Sequence, residues 1–193
     1  MELNDNDVKT RIMKAATHLF ANKGYASTSV REIVEAAGVT KPTLYYWFDS
    51  KEGLFVELVE SYLDGLNDLV QKWADAPGSV RERLAGFIRD YVNGGVSNRE
   101  GVMLMIAAHA PADTKQPRID LLTMHARRMH LFEGLLREGV ERGELRADLD
   151  VPYAVRSLGG MLNAHTMACV QGFAAPNHVP EHLIDLFYRG VSG

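Results

Sequence analysis

Apolar side chains recur at intervals of three and four residues along almost the whole chain, which is the spacing of one helix face. In the first segment, Ile12, Ala16, Leu19 and Phe20 follow this spacing, and Gly24 is a typical helix stop. Runs of β-branched residues, which would favour strands, are too short and do not alternate in polarity, so the helical spacing is the stronger signal. We therefore expect an all-α protein of about nine helices.

Composition and charge narrow the class of protein further. The 193 residues are 46% hydrophobic and 24% charged, which is ordinary for a globular chain. A single cysteine, an acidic and polar start, and apolar runs shorter than a membrane span predict a soluble, cytoplasmic protein without a membrane partner. The net charge is −4, yet residues 1–55 are neutral and carry three of their acids in the first seven positions. The folded part of that segment is therefore mildly basic, which permits nucleic-acid binding without establishing it.

Residues 29–48 predict two short helices joined by a tight turn. Ser29 and Glu32 have the spacing of a capping box, and Gly38 is suited to end that helix. Thr40 can cap the second helix, and Pro42 is tolerated in its first turn because the missing N–H has no helical partner there. This is the layout of a helix-turn-helix, whose second helix enters a major groove.

The second of these helices has a distinctive outward face. With Leu44 and Phe48 turned inward, cations and hydroxyls suited to phosphates and base edges collect on the other side. These residues are Lys41, Thr43, Tyr45, Tyr46 and, at the start of the next helix, Lys51. An alternative remains open, in which the two tyrosine rings pack against the first or fourth helix.

Further helices follow the helix-turn-helix segment. We expect a fourth helix from a Ser50 cap to about Trp73. Predicted breaks then lie at residues 93–95, 111–117, 143–152 and 172–180, with a seventh helix from about Pro117 to Arg142 and an eighth from about Val151 to Gln171.

The run from Gly24 to Leu54 resembles the DNA-binding domain of the TetR family of bacterial transcriptional regulators. The matching positions are Gly24–Tyr25, Thr28–Ile33, Ala37–Tyr46, Phe48 and Ser50–Leu54. The resemblance implies an N-terminal three-helix DNA-binding domain over residues 1–53 and a helical effector-binding and dimerisation domain over residues 54–193.

The resemblance also implies which residues contact DNA. The recognition helix would supply Lys41, Pro42, Thr43, Tyr45 and Tyr46, and the phosphates would be held by Thr28, Ser29, Arg31, Thr40 and Lys51. Two positions depart from the commonest residues, since Pro42 replaces a small residue and Trp47 replaces His or Tyr. Pro42 can touch a thymine methyl, whereas Trp47 is expected to pack on the core.

Members of this family act as dimers on palindromic DNA, and the resemblance implies a homodimer through the two C-terminal helices. The eighth helix carries small residues that permit close helix approach, namely Ser157, Gly159, Gly160 and Ala164. The alternative is that the two glycines accommodate helix six or seven of the same subunit. The resemblance further implies the commonest role in this family, a repressor that leaves its operator when a small-molecule effector binds.

Adaptable and amphipathic side chains on the later helices are candidates for the effector site. They are Tyr62, Phe87, Tyr91, Met103, Met105, His109, Met124, Met129, Phe132 and His165. Each alone is more often a core residue than a ligand contact. Together, the many methionines and aromatic rings favour a largely apolar effector.

Other classes of function fit the sequence less well. Met161, His165 and Cys169 are four apart and could hold a soft metal with His125 or His130, although such residues on an apolar helix are more often core, and no metal site is predicted. Motifs of phosphate-binding loops, serine hydrolases and zinc proteases are absent, so we expect neither an enzyme nor a cofactor. An architectural DNA-binding protein without a ligand is the remaining alternative.

Overall fold

The computed structural model describes residues 5–109, 117, 119–174 and 179–191. Over these residues the regular structure is helical and no strand occurs, which confirms the expected all-α class. The described helices are α1 (Asp5–Lys23), α2 (Val30–Ala37), α3 (Lys41–Phe48), α4 (Lys51–Ala74), α5 (Val80–Ser97), α6 (Arg99–His109), α7 (Leu121–Glu141), α8 (Val151–Val170) and α9 (Val179–Val191).

The chain divides into two compact units. The first unit comprises Met1–Leu63 and Glu100–Leu121, and the second comprises Asp64–Arg99 and Leu122–Gly193. Helix α4 contributes residues to both units.

An aromatic cluster fills the centre of the first unit. The rings of Phe20, Tyr25 and Phe55 lie 5.0–5.6 Å apart, mostly edge to face, and all three side chains are buried. Leu44 and Phe48 of α3 are buried as well, as their spacing predicted. This packing holds α3 by its inner face and leaves its outer face available.

Helices α5 and α7 of the second unit run antiparallel, and two side-chain contacts define their register. Arg83 forms two hydrogen bonds of 2.8 Å with the carboxylate of Glu138. One turn further along α5, the ring of Phe87 lies 4.6 Å from that of Phe132. These contacts fix which residues of the two helices lie opposite each other.

The predicted break at residues 93–95 is wrong, because α5 continues through these residues to Ser97. A glycine in a helix interior costs only about 1 kcal/mol relative to alanine, and the buried residues of α5, including Gly95, offset that cost through packing. Helix α7 begins at Leu121, four residues later than expected, whereas the breaks before α8 and α9 are confirmed. Of the predicted break at 111–117, only Pro117 lies among the described residues.

Among the described helices, none combines the length and the apolar character that crossing a bilayer requires.

Candidate DNA interface and effector region

Local hydrogen bonds define the two ends of α2. Ser29 Oγ accepts from the backbone N–H of Glu32 at 3.3 Å, and the Glu32 carboxylate accepts from the backbone N–H of Ser29 at 2.8 Å. Gly38 ends the helix with a left-handed φ of 64° and donates its N–H to the Glu35 carbonyl at 3.3 Å. The predicted capping box and stop are confirmed, and they fix the turn that leads into α3.

The capping carboxylate is held strongly in its charged form. Lys23 donates to Glu32 at 2.6 Å, and this contact, with the bonds from Ser29, lowers the pKa of Glu32 to about 2. The negative charge lies at the N-terminal end of α2, where the helix dipole favours it.

Helix α3 begins at a threonine cap and turns an aromatic face to solvent. Thr40 Oγ1 accepts from the backbone N–H of Thr43 at 3.4 Å, as predicted. Tyr45 is 44% exposed and Tyr46 is 77% exposed, so neither ring is buried in the core. Lys41, Pro42 and Thr40 are exposed too, and Thr43 is half-buried.

Trp47 lies at the side of this face. Its side chain is half-buried, its ring lies 5.3 Å from that of Tyr46, and the Lys9 ammonium lies 5.8 Å from its ring centre. This position agrees with the expectation that Trp47 packs on the core.

Two of the predicted phosphate contacts have internal partners in the structure. Thr28 is only 1% exposed, and its hydroxyl donates to the Gly24 carbonyl at 2.9 Å. The Lys51 ammonium donates to the carbonyls of Tyr25 and Thr28 at 2.9 and 2.8 Å and lies 4.0 Å from the Tyr25 ring centre. Because its hydroxyl is turned inward, Thr28 shapes the connection between α1 and α2 and does not face a phosphate.

The other two candidates at the start of α2 face solvent. Ser29 and Arg31 are exposed, and Arg31 donates to Glu35 one turn along the helix at 2.7 Å.

The effector candidates are distributed over both units. Tyr62, Met103, Met105 and His109 belong to the first unit, and Phe87, Tyr91, Met124, Met129, Phe132 and His165 belong to the second. In the first, His109 is exposed and its Nδ1 lies 2.7 Å from the Met105 carbonyl.

Within the second unit, the structure brings three of the candidate aromatic rings together. Phe87 lies 4.6 Å from Phe132 and 5.7 Å from Tyr91. The Tyr91 hydroxyl donates to Asn163 of α8 at 2.7 Å. Burial raises the pKa of the Tyr91 phenol, and the positive charge of Arg128 opposes that rise.

Besides Arg83, which pairs with Glu138, the second unit buries three polar side chains that sequence reasoning missed, namely Asn67, Arg128 and Thr166. The signal was present in the sequence, because Thr166 continues the buried stripe of Leu158 and Leu162 along α8. A polar residue within an apolar helix stripe indicates either an internal hydrogen bond or a ligand contact.

Two of the candidate metal ligands, Cys169 and His165, lie close together. Cys169 Sγ is 2.9 Å from His165 Nε2, and burial raises the pKa of the thiol and lowers the pKa of the imidazole. Both groups are therefore favoured in their neutral forms. Over the part of the chain that the structure describes, no three His, Cys, Asp or Glu side chains are grouped to hold a metal.

The two glycines of α8 face open space. A methyl group added at Gly159 or Gly160 would meet no described atom within 4 Å outside the helix itself. Among the described residues of the second unit, α7 therefore does not pack closely on these two glycines. Three large hydrophobic side chains in this part of the chain are exposed: Tyr153 on α8, Phe173 just after α8, and Leu186 on α9.

Comparisons with known proteins match both parts of the chain. Residues 12–58 match the family model described as bacterial regulatory proteins, tetR family, and residues 75–187 match the model described as tetracyclin repressor-like, C-terminal domain. The HTH-type transcriptional repressor KstR2 of Mycolicibacterium smegmatis is 28% identical over 149 residues, which is 77% of this chain and 72% of that protein.

Solved structures show the same fold. The fatty acid degradation regulator FadR from Bacillus halodurans superposes with a TM-score of 0.84 at 21% identity, covering 95% of each chain. FadR from Bacillus subtilis, solved in complex with stearoyl-CoA, gives a TM-score of 0.79 at 20% identity and covers 94% of this chain and 98% of its own. With the second family model spanning more than half of the sequence, the chain belongs to the tetR family of bacterial transcriptional regulators, which are not enzymes.

Proposed function

We propose that this regulator is a cytoplasmic homodimeric repressor that binds a palindromic operator and releases it when a small, largely apolar effector binds. The observation that carries the proposal is the outer face of α3, where Lys41, Tyr45 and Tyr46 are exposed while Leu44 and Phe48 anchor the helix from below. The relatives named as repressors support the direction of regulation.

We assign the reading of base edges to α3. Lys41 and Thr43 supply a cation and a hydroxyl, Tyr45 and Tyr46 supply rings with polar ends, and Pro42 supplies an apolar contact for a thymine methyl. Ser29, Arg31 and Thr40 are proposed to contact phosphates, helped by the backbone N–H groups at the starts of α2 and α3.

The remaining phosphate candidate, Lys51, is proposed to attract phosphates through its charge rather than through a direct hydrogen bond. Two of its N–H groups already hold the connection between α1 and α2. It brings a positive charge to the start of α4, so we propose that it adds to phosphate attraction while keeping Ser29 in place.

Residues 1–53 are proposed to read DNA, and residues 54–193 to bind the effector and form the dimer. One short recognition helix gives little specificity, so two are needed on a palindromic site. The open glycines of α8, with exposed Tyr153 and Leu186, support a second copy of this chain as the partner of α8 and α9.

The first experiment is a footprint on the DNA flanking the protein's own gene, at two salt concentrations and with nonspecific competitor. Protection of a palindrome with half-sites in successive major grooves is expected. Diffuse coating that disappears at the higher salt concentration would favour the architectural alternative, because counterion release dominates sequence-blind binding.

Variants of α3 test which face reads DNA. Tyr46→Ala and Lys41→Ala should each weaken operator binding about tenfold, as loss of one contact does, while the melting temperature and the dimer stay unchanged. Lys14→Ala is the matched control, because Lys14 is an exposed lysine on α1. Operator affinity equal to that of the unmodified protein in both α3 variants would move the reading surface elsewhere.

A further inference from the structure

Three polar side chains lie deep in the second unit on three different helices. Asn67 of α4 is 7% exposed, Arg128 of α7 is 8% exposed and Thr166 of α8 is 3% exposed. The buried cluster of the same unit is built mainly from leucine, valine, isoleucine and phenylalanine side chains. Arginine is rarely buried to this extent unless its charge is used.

The register of α5 and α7 shows where Arg128 lies. Arg83 is opposite Glu138, and Phe87 is opposite Phe132. One more turn along each helix brings Tyr91 of α5 to the level of Arg128, and the effect of the Arg128 charge on the pKa of the Tyr91 phenol agrees with that placement.

A hydrogen bond from Tyr91 places a residue of α8 at the same level. The Tyr91 hydroxyl donates to Asn163, and Thr166 follows three residues later, on a neighbouring part of the same helix face. A polar layer therefore lies one helical turn beyond the Phe87–Phe132 pair.

Two atoms of this polar group lack hydrogen bonds. The hydroxyl of Thr166 and the side-chain carbonyl of Asn67 are buried and make no hydrogen bond with any part of the chain that the structure describes. More than nine-tenths of buried polar groups in native proteins have a hydrogen-bond partner, so each buried group without one needs an explanation. A bound molecule with a polar end would supply it.

We propose that Arg128, Tyr91 and Thr166 form the polar end of the effector site, and that the effector carries a negatively charged oxygen head group on an apolar body. This inference rests on the proposed function and names the chemical class of its effector. The guanidinium supplies the opposite charge, and one of its N–H groups donates to His125 Nδ1, which fixes its orientation. Thr166 donates its hydroxyl to the head group, and the apolar body extends towards Phe87 and Phe132.

Three probes with one common alkyl chain test the head group: decanoate, decyl phosphate and decanol, each below its micelle concentration. Thermal denaturation of the full-length protein is measured against the concentration of each probe, because a ligand that binds the folded state raises the melting temperature. Decanoate or decyl phosphate should raise it at concentrations at least tenfold lower than decanol. The stronger of the two anions identifies the head group as a carboxylate or a phosphate ester.

Variants separate a head-group contact from general stability. Arg128→Met should weaken binding of the preferred anion about tenfold or more and leave decanol binding unchanged. Thr166→Val should weaken anion binding by a smaller factor and provides a second test if Arg128→Met fails to fold. Arg127→Met is the matched control, since Arg127 is the neighbouring exposed arginine of α7, and it should bind all three probes normally.

Anion binding that does not exceed decanol binding, or that is unchanged in both Arg128→Met and Thr166→Val, would overturn the proposal. Operator binding is measured in the same samples to keep the two proposals distinct. An anion that binds through Arg128 without releasing the operator supports this site and contradicts effector-driven release. Operator release by decanol alone supports the proposed function and overturns the charged head group.

Discussion

At the scale of single residues, two buried threonines differ in what their hydroxyls contact. Thr28 donates to the Gly24 carbonyl, whereas the Thr166 hydroxyl has no hydrogen-bond partner among the described residues. Thr28→Val should lower the free energy of unfolding by about 1–3 kcal/mol because it leaves the half-buried Gly24 carbonyl without this donor. Thr166→Val should change it by less than about 0.5 kcal/mol or raise it, because no hydrogen bond is lost.

Urea denaturation of the two variants and the unmodified protein checks this difference. The substitution is identical at both sites, so each variant is the control for the other. An equal loss of stability at Thr166 would show that its hydroxyl has a structural partner and would weaken the case for a ligand contact there.

Single residues also show where reasoning from the sequence reached its limit. Lys51 was expected at a phosphate because of its position in a motif, but its ammonium holds two carbonyls of the preceding connection. A motif gives the position of a residue along the chain, whereas the direction of a long side chain depends on which acceptors the fold brings within reach. Exposure of Tyr46 could be predicted, because it follows from helix spacing alone.

At the scale of elements, the start of α2 depends on the ionised Glu32. Its pKa in the folded protein is about 2 against an ordinary value of 4.5, so its charge stabilises the fold above about pH 4.5. That contribution is lost as the pH falls from about 4.5 towards 2. The melting temperature of the unmodified protein should therefore exceed that of Glu32→Gln at neutral pH, and the difference should shrink through this window.

Melting curves of both proteins between pH 7 and pH 2 provide the measurement. The control is Glu82→Gln, at the capping box of α5, where the Ser79 hydrogen bonds lower the pKa of Glu82 without a lysine partner. Its pH-dependent difference should be smaller, because the bond with Lys23 is the largest cause at Glu32. A constant difference across the whole range would contradict the assigned role of the Glu32 charge.

The contact of α4 with α5 gives a second prediction at this scale. A methyl group at Gly86 would overlap the Trp73 indole ring, whereas one at Gly94 meets no described atom within 4 Å. Gly86→Ala should lower the free energy of unfolding by about 1–3 kcal/mol through overpacking. Gly94→Ala should raise it by up to about 1 kcal/mol through helix propensity.

Chemical denaturation of these two alanine variants is the measurement. Similar effects of both substitutions would mean that the Trp73 ring moves aside at little cost.

Elements whose ends depend on local chemistry could be predicted from the sequence. The caps at Ser29, Thr40 and Ser50 involve residues three or four positions apart, and all three occur as expected. The predicted break at residues 93–95 was wrong because packing between distant segments, rather than local chemistry, decides it. Glycine propensity is a local preference, and the packing of α5 against distant helices overrides it.

At the scale of the whole molecule, the proposed dimer depends on exposed apolar residues of α8 and α9. Leu186 is 69% exposed on α9. Leu186→Glu would place a charge in the interface, so it should convert the dimer to a monomer and weaken operator binding more than a hundredfold. Sedimentation velocity and operator titration measure the two effects.

Ala147→Glu is the control, because it adds the same charge at an exposed turn position between α7 and α8. It should remain dimeric. A dimeric Leu186→Glu would place the interface on another surface.

The family and the helix-turn-helix could be recognised from sequence because their residues are consecutive. The polar layer at Arg128 could not, since its members come from α5, α7 and α8 and only the register of these helices brings them to one level. Sites assembled from distant segments require the fold first.

The ion pairs of the DNA-binding region affect how the protein would behave on random DNA. Lys23 pairs with Glu32, Arg31 pairs with Glu35, and the Lys51 ammonium holds backbone carbonyls. Each phosphate neutralised by a protein cation releases condensed counterions and steepens the dependence of log K on log salt by about 0.9. A cation that leaves an internal carboxylate to contact a phosphate, as proposed for Arg31, gives up part of that gain, so the salt dependence of binding to random DNA should be less steep than the number of basic residues suggests. Preference for the operator over random DNA would then depend mainly on the contacts of α3, with that of Lys41 among them.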